Sequence, residues 1–125
     1  MRTRSDLFKK LEDAQDLISQ RDFESALKRL QPLEQEEVFV RRLMIECLFN
    51  LESDEELIQL IGVPRNVLEF TYVVEALWRR KKFEELGNLM EKSRKNRDIA
   101  ESSPFKRMES KLKDRGIDEE NKIPN

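Results

Sequence analysis

Apolar residues recur at every third or fourth position through most of the chain, and this spacing predicts amphipathic helices. Polar residues and prolines interrupt the pattern at short intervals, so the predicted helices are short. The first of seven predicted helices is capped by Ser5 or Asp6 and runs to Ile18, the second begins at Phe23 and is ended by Pro32, and the third covers Glu36–Asn50. The fourth runs from the N-cap Ser53 to Gly62, and the fifth covers Pro64–Arg80. The sixth runs from Phe83 to about Arg94, and the seventh from Pro104 through Leu112. With 3 glycines, 4 prolines and few strand signals, the expected fold class is all-α.

The helices predicted over Glu36–Asn50 and Pro64–Arg80 are apolar on most of their circumference. A helix that is apolar on every side must be covered on every side, so we expect the second of them to be the central element. Together they carry more apolar surface than six short helices cover comfortably. This excess indicates that a partner covers part of it.

Three segments resemble one another, each with an apolar helix end, a polar turn and the start of a second apolar helix. They are residues 17–27, 48–58 and 77–87, so the pattern returns after 31 and then 29 residues. A period near 30 with one helical hairpin per unit is typical of a solenoid. Each hairpin has a face that it cannot bury alone, and the amphipathic helix after Pro104 would cap the last one.

The run from Arg21 to Leu27 resembles the turn between the two helices of a tetratricopeptide repeat, with its aromatic residue, its acidic residue and its Ala-Leu pair. Ala14 falls where the first helix of that family needs a small residue. The resemblance covers about residues 5–95 and is strongest in the first unit. It implies a right-handed α-solenoid of about three helical hairpins plus a C-terminal capping helix, in which the first helix of each hairpin lines the concave face.

The later units depart from the family pattern. Leu57 and Leu86 stand where the family prefers Ala, and Ile45 and Val74 where it prefers Gly or Ala. These larger side chains should widen the separation of the helices, because the interaxial distance follows the size of the contacting side chains. The usual glycine of the turn is absent from all three units.

The predicted organisation is a degenerate tetratricopeptide-like domain over residues 1–115. The tail, residues 116–125, has too little apolar content to fold alone.

Composition refines this interpretation. Charged residues make up 40 % of the chain, yet the hydrophobic 38 % keeps helical spacing, which disordered chains lack. The lone Cys47 makes an internal disulfide impossible and is expected to be a buried small hydrophobe. No N-terminal apolar segment and no uncharged stretch of about 18 residues exists, so the expected location is cytoplasmic or nuclear, with no membrane contact.

The residues that most enzymes need are missing. The chain has no histidine, which removes the commonest general base and zinc ligand, and one cysteine cannot form a thiolate metal site. Its glycines stand alone, so no phosphate-binding loop is expected. The acidic runs are typical of solvated helix faces. We therefore expect no catalytic residues, no metal and no cofactor.

Polar residues on the otherwise apolar third and fifth helices are the best candidates for partner contact, because a charge there costs desolvation unless it faces a groove. They are Arg41, Arg42, Glu46, Glu69, Thr71 and Glu75. The run Arg79, Arg80, Lys81 and Lys82, continued by basic residues over 92–97, is the second candidate. Residues 79–115 hold 13 basic and 7 acidic side chains, whereas residues 1–78 hold 10 basic and 16 acidic ones.

The favoured explanation of the basic run is a charged turn and a helix C-terminus, where Lys and Arg are stabilising in any case. A basic patch for an acidic peptide or nucleic acid, or a nuclear-import signal, is the functional alternative. The sequence favours a non-enzymatic protein–protein interaction module, a scaffold subunit or assembly factor of a larger complex. Its partner is another protein or peptide, a second copy included. The alternative is a helical-repeat RNA-binding protein that uses the basic region 79–97.

Overall fold

The computed structural model describes residues 4–33 and 37–115, except for the side chain of Arg4. These residues form eight helices and no strand, so the predicted all-α class is confirmed for this part of the chain. The helices are α1 Arg4–Ser19, α2 Phe23–Leu30, α3 Val38–Asn50, α4 Asp54–Ile61, α5 Val67–Arg79, α6 Phe83–Ser93, α7 Arg97–Ala100 and α8 Ser103–Asp114. The tail predicted over residues 116–125 lies outside the described residues.

Side-chain caps set several helix starts that the apolar pattern misplaces. The prediction that α5 begins at Pro64 is wrong, because the Asn66 side chain accepts a hydrogen bond from the Glu69 N–H at 2.9 Å and α5 begins at Val67. Ser102 caps α8 in the same way, so α8 begins one residue before Pro104. Ser5 and Asp6 lie within α1 rather than before it.

Other boundaries lie close to their predicted positions. The predicted start of the third helix at Glu36 lies outside the described residues, and in the described part Glu37 caps α3 by accepting from the N–H groups of Phe39 and Val40, both at 3.0 Å. Gly62 follows α4 with a φ of 59°, the left-handed backbone that ends a helix. The short helix α7 lies between the helices predicted to end near Arg94 and to begin at Pro104, where no helix was predicted.

The chain forms two compact units, one up to Leu57 and the other from Ile58. The prediction of a single domain over residues 1–115 stays a prediction. No helix of the described residues is long and apolar enough to cross a membrane.

In the first unit α1 and α2 form an antiparallel hairpin, and α3 contacts both of them. The antiparallel course is evident from the ion pair between Asp13 and Arg29, 3.7 Å apart, since the two residues lie nearly equally far from the turn between the helices. Two small residues, Ala14 of α1 and Ala26 of α2, are fully buried in this hairpin. Small side chains at the contact allow close helix packing.

In the second unit α5 contacts α6, α7 and α8, which makes it the central helix of that unit. Phe70 of α5 is fully buried, and its ring centroid lies 5.6 Å from that of Phe105 in α8. Ile99 of α7 is also fully buried. The hydrophobic contacts of the short helix α7 thus explain why it is ordered despite its length.

The same turn ends α1, α3 and α5. Arg21, Glu52 and Lys81 have φ values of 62°, 58° and 57°. In each turn this residue donates its N–H to the carbonyl three positions back, and the next residue donates to the carbonyl five positions back, at 2.8–3.1 Å. This is the Schellman arrangement, which usually places glycine at the left-handed position. The three segments that repeat in sequence therefore share one backbone geometry.

Burial repeats with the turns. Five residues after the left-handed position stand Ala26, Leu57 and Leu86, each with no exposed surface. Seven residues before it stand three further buried residues, Ala14, Ile45 and Val74. Side chains of different size thus occupy equivalent buried positions around the three turns.

Candidate functional site

Five large apolar side chains of the described residues are exposed to solvent: Phe8, Val38, Phe39, Val63 and Leu68. Three of them occupy one position of the repeat, because Phe8, Phe39 and Leu68 each lie 13 residues before the left-handed residue of their own hairpin. Their exposed fractions are 57 %, 54 % and 43 %. A single exposed apolar side chain is ordinary, but an exposed apolar side chain at the same position of all three sequence repeats is a pattern.

On α3 and α5, polar side chains lie on the same helix face as the exposed apolar residue. Residues three, four and seven positions apart share one face of a helix. On α3 this face carries Phe39, Arg42 and Glu46, of which Arg42 is exposed and Glu46 half-buried. We call this set the α3 face.

The equivalent face of α5 carries Leu68, Thr71 and Glu75, and all three are exposed. We call it the α5 face. The Thr71 hydroxyl donates to the Val67 carbonyl at 2.8 Å, so its methyl group is the part most available to a partner. On α1 the equivalent positions are Phe8, Leu11 and Gln15, of which Phe8 and Gln15 are exposed and Leu11 is buried, so the polar face is confined to α3 and α5.

Two of the sequence-predicted contact residues do not lie on these faces. Arg41 and Glu69 are only 5 % and 6 % exposed. One carboxylate oxygen of Glu69 accepts a hydrogen bond from the Arg65 N–H at 3.1 Å, beside the Asn66 cap at the start of α5. Glu69 therefore holds the start of the helix, as the acidic residue of a capping box does.

The two parts of the predicted basic region differ in their surroundings. In the second part, Arg94 lies 3.3 Å from Glu109 and 3.9 Å from Glu91, and Arg97 lies 3.1 Å from Glu101. Carboxylates thus offset much of the charge there.

The first part is the turn between α5 and α6, in which Arg80 and Lys81 are exposed while Arg79 and Lys82 are half-buried. Lys82 lies 3.9 Å from Glu85.

Next to this turn, two cations from the C-terminal part of the chain lie over two aromatic rings, and the sequence pattern did not indicate these cations as candidates. The rings of Trp78 and Phe83 meet edge to face, with centroids 5.4 Å apart. The Arg115 guanidinium lies over both rings, 5.5 Å and 4.8 Å from their centroids, and the Lys111 ammonium lies 5.3 Å from that of Trp78. No local sequence signal indicates this meeting, because α8 is some thirty residues further along the chain.

An apolar groove of about 330 Å³ lies in the second unit, between α5, α6 and the end of α4. Its lining residues are Ile58, Gly62, Val63, Val73, Leu77, Glu85, Asn88, Leu89 and Lys92. The charged groups sit on α6, and the rest of the lining is mostly aliphatic.

Cys47 is fully buried in α3. Burial, together with the nearby charge of Glu46, raises the pKa of its thiol to about 11. The thiol therefore stays protonated at neutral pH and packs as a small apolar group. Within the ranges 4–33 and 37–115, no group of three or more His, Cys, Asp or Glu side chains is arranged to hold a metal ion.

Comparison with known proteins gives no match to any family model, to any curated protein or to any solved structure.

Proposed function

We propose that this chain is a non-enzymatic protein–protein interaction module, a scaffold subunit or assembly factor that holds another protein of a larger complex. We further propose that its hairpins stack as a degenerate tetratricopeptide-like, right-handed solenoid with α8 as its cap. Three turns with the same hydrogen bonds and a left-handed residue at the same position support this arrangement, because repeated units of similar backbone geometry tend to stack on one another.

The observation that carries the proposal is the exposure of Phe8, Phe39 and Leu68 at one position of the repeat. In a stacked arrangement the first helices of the hairpins share a face, and equivalent positions form a row along it. Burial of a fully exposed side chain of this kind contributes about 1.5–3 kcal/mol, and these side chains are about half exposed, so each has roughly half of that to contribute. A few residues near the centre of an interface often account for most of its binding energy, and aromatic residues such as Phe are enriched in interface cores.

The proposed partner is a protein segment that presents apolar side chains to this row and opposite charges to the polar residues beside it. Arg42 and Glu46 on the α3 face, and Glu75 on the α5 face, place both signs of charge next to the apolar positions. Such charges fix the register of a partner and exclude competitors more than they add affinity.

Photo-crosslinking from the proposed row tests the function. A photoreactive phenylalanine analogue replaces Phe8, Phe39 or Leu68 in the full chain, expressed at its native level. The matched control carries the same analogue at Lys28, which is exposed on the second helix of the first hairpin. The proposal predicts one crosslinked protein shared by the three row positions and absent from the control. Equal yields from position 28, or no crosslink from any row position, would contradict it.

A further inference from the structure

The cations at the ends of α5 and α8 form a surface distinct from the proposed apolar row. We define the Trp78 cluster as Trp78, Phe83, Lys111 and Arg115, together with Lys81 from the turn between the two aromatic residues. Lys81, Lys111 and Arg115 are exposed. The two rings hold the α8 cations in place by cation–π contacts of 4.8–5.5 Å.

The two chain segments that form the cluster are strongly basic. Residues 79–82 and 111–115 contain seven basic side chains and one acidic side chain, Asp114. Lys82 of the turn lies 3.9 Å from the Glu85 carboxylate. A surface with this excess attracts a polyanion, and the attraction weakens as salt screens it.

We propose that the Trp78 cluster binds the phosphate backbone of single-stranded nucleic acid. An Arg guanidinium over an aromatic ring keeps N–H groups at its edge for phosphate oxygens, and an ammonium over a ring likewise keeps donors for phosphate. The exposed side chains of the cluster come from two segments of the chain, so one strand can contact both.

The aromatic rings of the cluster hold cations rather than bases. Lys111 and Arg115 lie over Trp78, and Arg115 also lies over Phe83. Because these contacts occupy ring surface on which a base would stack, binding at the cluster depends on the backbone and not on base identity.

An acidic protein segment is the less suitable occupant of this surface. Such a segment normally adds apolar anchors to its charges. None of the described large apolar side chains beyond Leu68 is exposed. Leu68 itself lies ten residues before Trp78 on α5, which corresponds to about 15 Å along the helix. The cluster's own rings are half-buried with cations over them, so it offers charge without an exposed apolar anchor, which suits a phosphate backbone.

The proposed site differs from the one that the sequence suggests for nucleic-acid binding, which is the whole basic region 79–97. Arg94 and Arg97 lie within 3.3 Å of the carboxylates of Glu109 and Glu101. The α8 cations Lys111 and Arg115 replace them in the proposed site.

Fluorescence anisotropy with a labelled mixed-sequence single-stranded RNA of about 20 nucleotides tests the proposal on the full chain. Three phosphate contacts correspond to a slope of about −2 in log K against log salt, or roughly a 20-fold loss of affinity between 50 and 200 mM salt. The site variant is Lys81→Gln/Lys111→Gln/Arg115→Gln. The control variant Lys9→Gln/Lys10→Gln/Lys28→Gln removes the same charge from exposed positions of the first unit.

We expect the site variant to lose at least about tenfold in affinity at 50 mM salt and to flatten the slope, whereas the control changes affinity less than about twofold. Circular dichroism shows whether each variant keeps its helices, and Lys111→Arg alone should bind like the wild type. Absence of binding at 50 mM salt, or equal losses in site and control variants, would overturn the proposal. Tighter binding to a poly-glutamate peptide than to RNA would also overturn it, in favour of an acidic protein partner.

Discussion

Phe8 of α1 and Phe39 of α3 lie on contacting helices of one compact unit, both exposed, each 13 residues before the left-handed residue that ends its hairpin turn. Leu68 has the same place in the third hairpin. Burial in the chain's own core explains none of the three. Their shared repeat position and their exposure are the two observations behind the proposed docking row.

The first prediction concerns the strained turns. Lys81 has a φ of 57°, which costs a residue with a Cβ more than it costs glycine, so Lys81→Gly should stabilise the protein by about 0.5–1 kcal/mol. Its neighbour Arg80 has a φ of −87°, and Arg80→Gly should destabilise by at least a similar amount because glycine adds freedom to the unfolded chain and relieves no left-handed backbone there. Both changes remove one positive charge. Urea unfolding measures both, and equal effects would contradict the left-handed turn.

The second prediction separates stability from binding at two glutamates of α5. Glu69 accepts a hydrogen bond at the start of the helix, so Glu69→Ala should lower the free energy of unfolding by about 1–2 kcal/mol. Glu75 is exposed on the α5 face, so Glu75→Ala should change stability by less than about 0.5 kcal/mol and weaken partner binding instead. Chemical unfolding and a crosslinking yield from position 68 distinguish the two roles. A large stability loss with Glu75→Ala would argue against its place on a free face.

The third prediction concerns the buried thiol of Cys47. Its pKa of about 11 in the folded chain lies above the ordinary value of 9.0, because burial disfavours the thiolate. The resulting stability is fully present below pH 9 and is lost as the pH rises towards 11, by roughly 2–3 kcal/mol. The variant Cys47→Ala has no thiol to ionise, so its free energy of unfolding should fall less than that of the wild type as the pH rises. Urea unfolding of both proteins at pH 8 and pH 10.5 measures the difference, and parallel losses would contradict burial of the thiol.

Much of the helical architecture could be predicted from the spacing of apolar residues, because amphipathic helices show it directly. The positions of the turns could be predicted as well, since polar residues interrupt the pattern there. Their left-handed backbone could not, because charged residues occupy positions where glycine is the usual signal. The start of α5 was misplaced because the Asn66 side chain, by accepting from the Glu69 N–H, caps the helix two residues after Pro64.

The candidate site was predicted only in part. Arg42 and Thr71 are exposed, whereas their neighbours Arg41 and Glu69 are buried, since one or two residues along a helix turn a side chain to another face. The apolar spacing does not single out Phe8, Phe39 and Leu68 among the other apolar positions of their helices. Alignment of the three repeats on their turns would have shown their equivalence. Lys111 and Arg115 could not be found in this way, because only the tertiary structure brings α8 to Trp78.

The most direct test of the docking row measures the mass of the native assembly that contains this chain, isolated at its natural level. Three chains are compared: the wild type, the variant Phe8→Ser/Phe39→Ser/Leu68→Ser, and the control Val63→Ser. Val63 is 53 % exposed but lies outside the repeat position. All the changed side chains are exposed, so thermal unfolding should stay close to that of the wild type. We predict that the wild type and Val63→Ser remain in a complex larger than the 15.0 kDa chain, while the triple variant is released as a monomer. A wild type that is strictly monomeric, or a triple variant that stays in the same complex, would contradict the account.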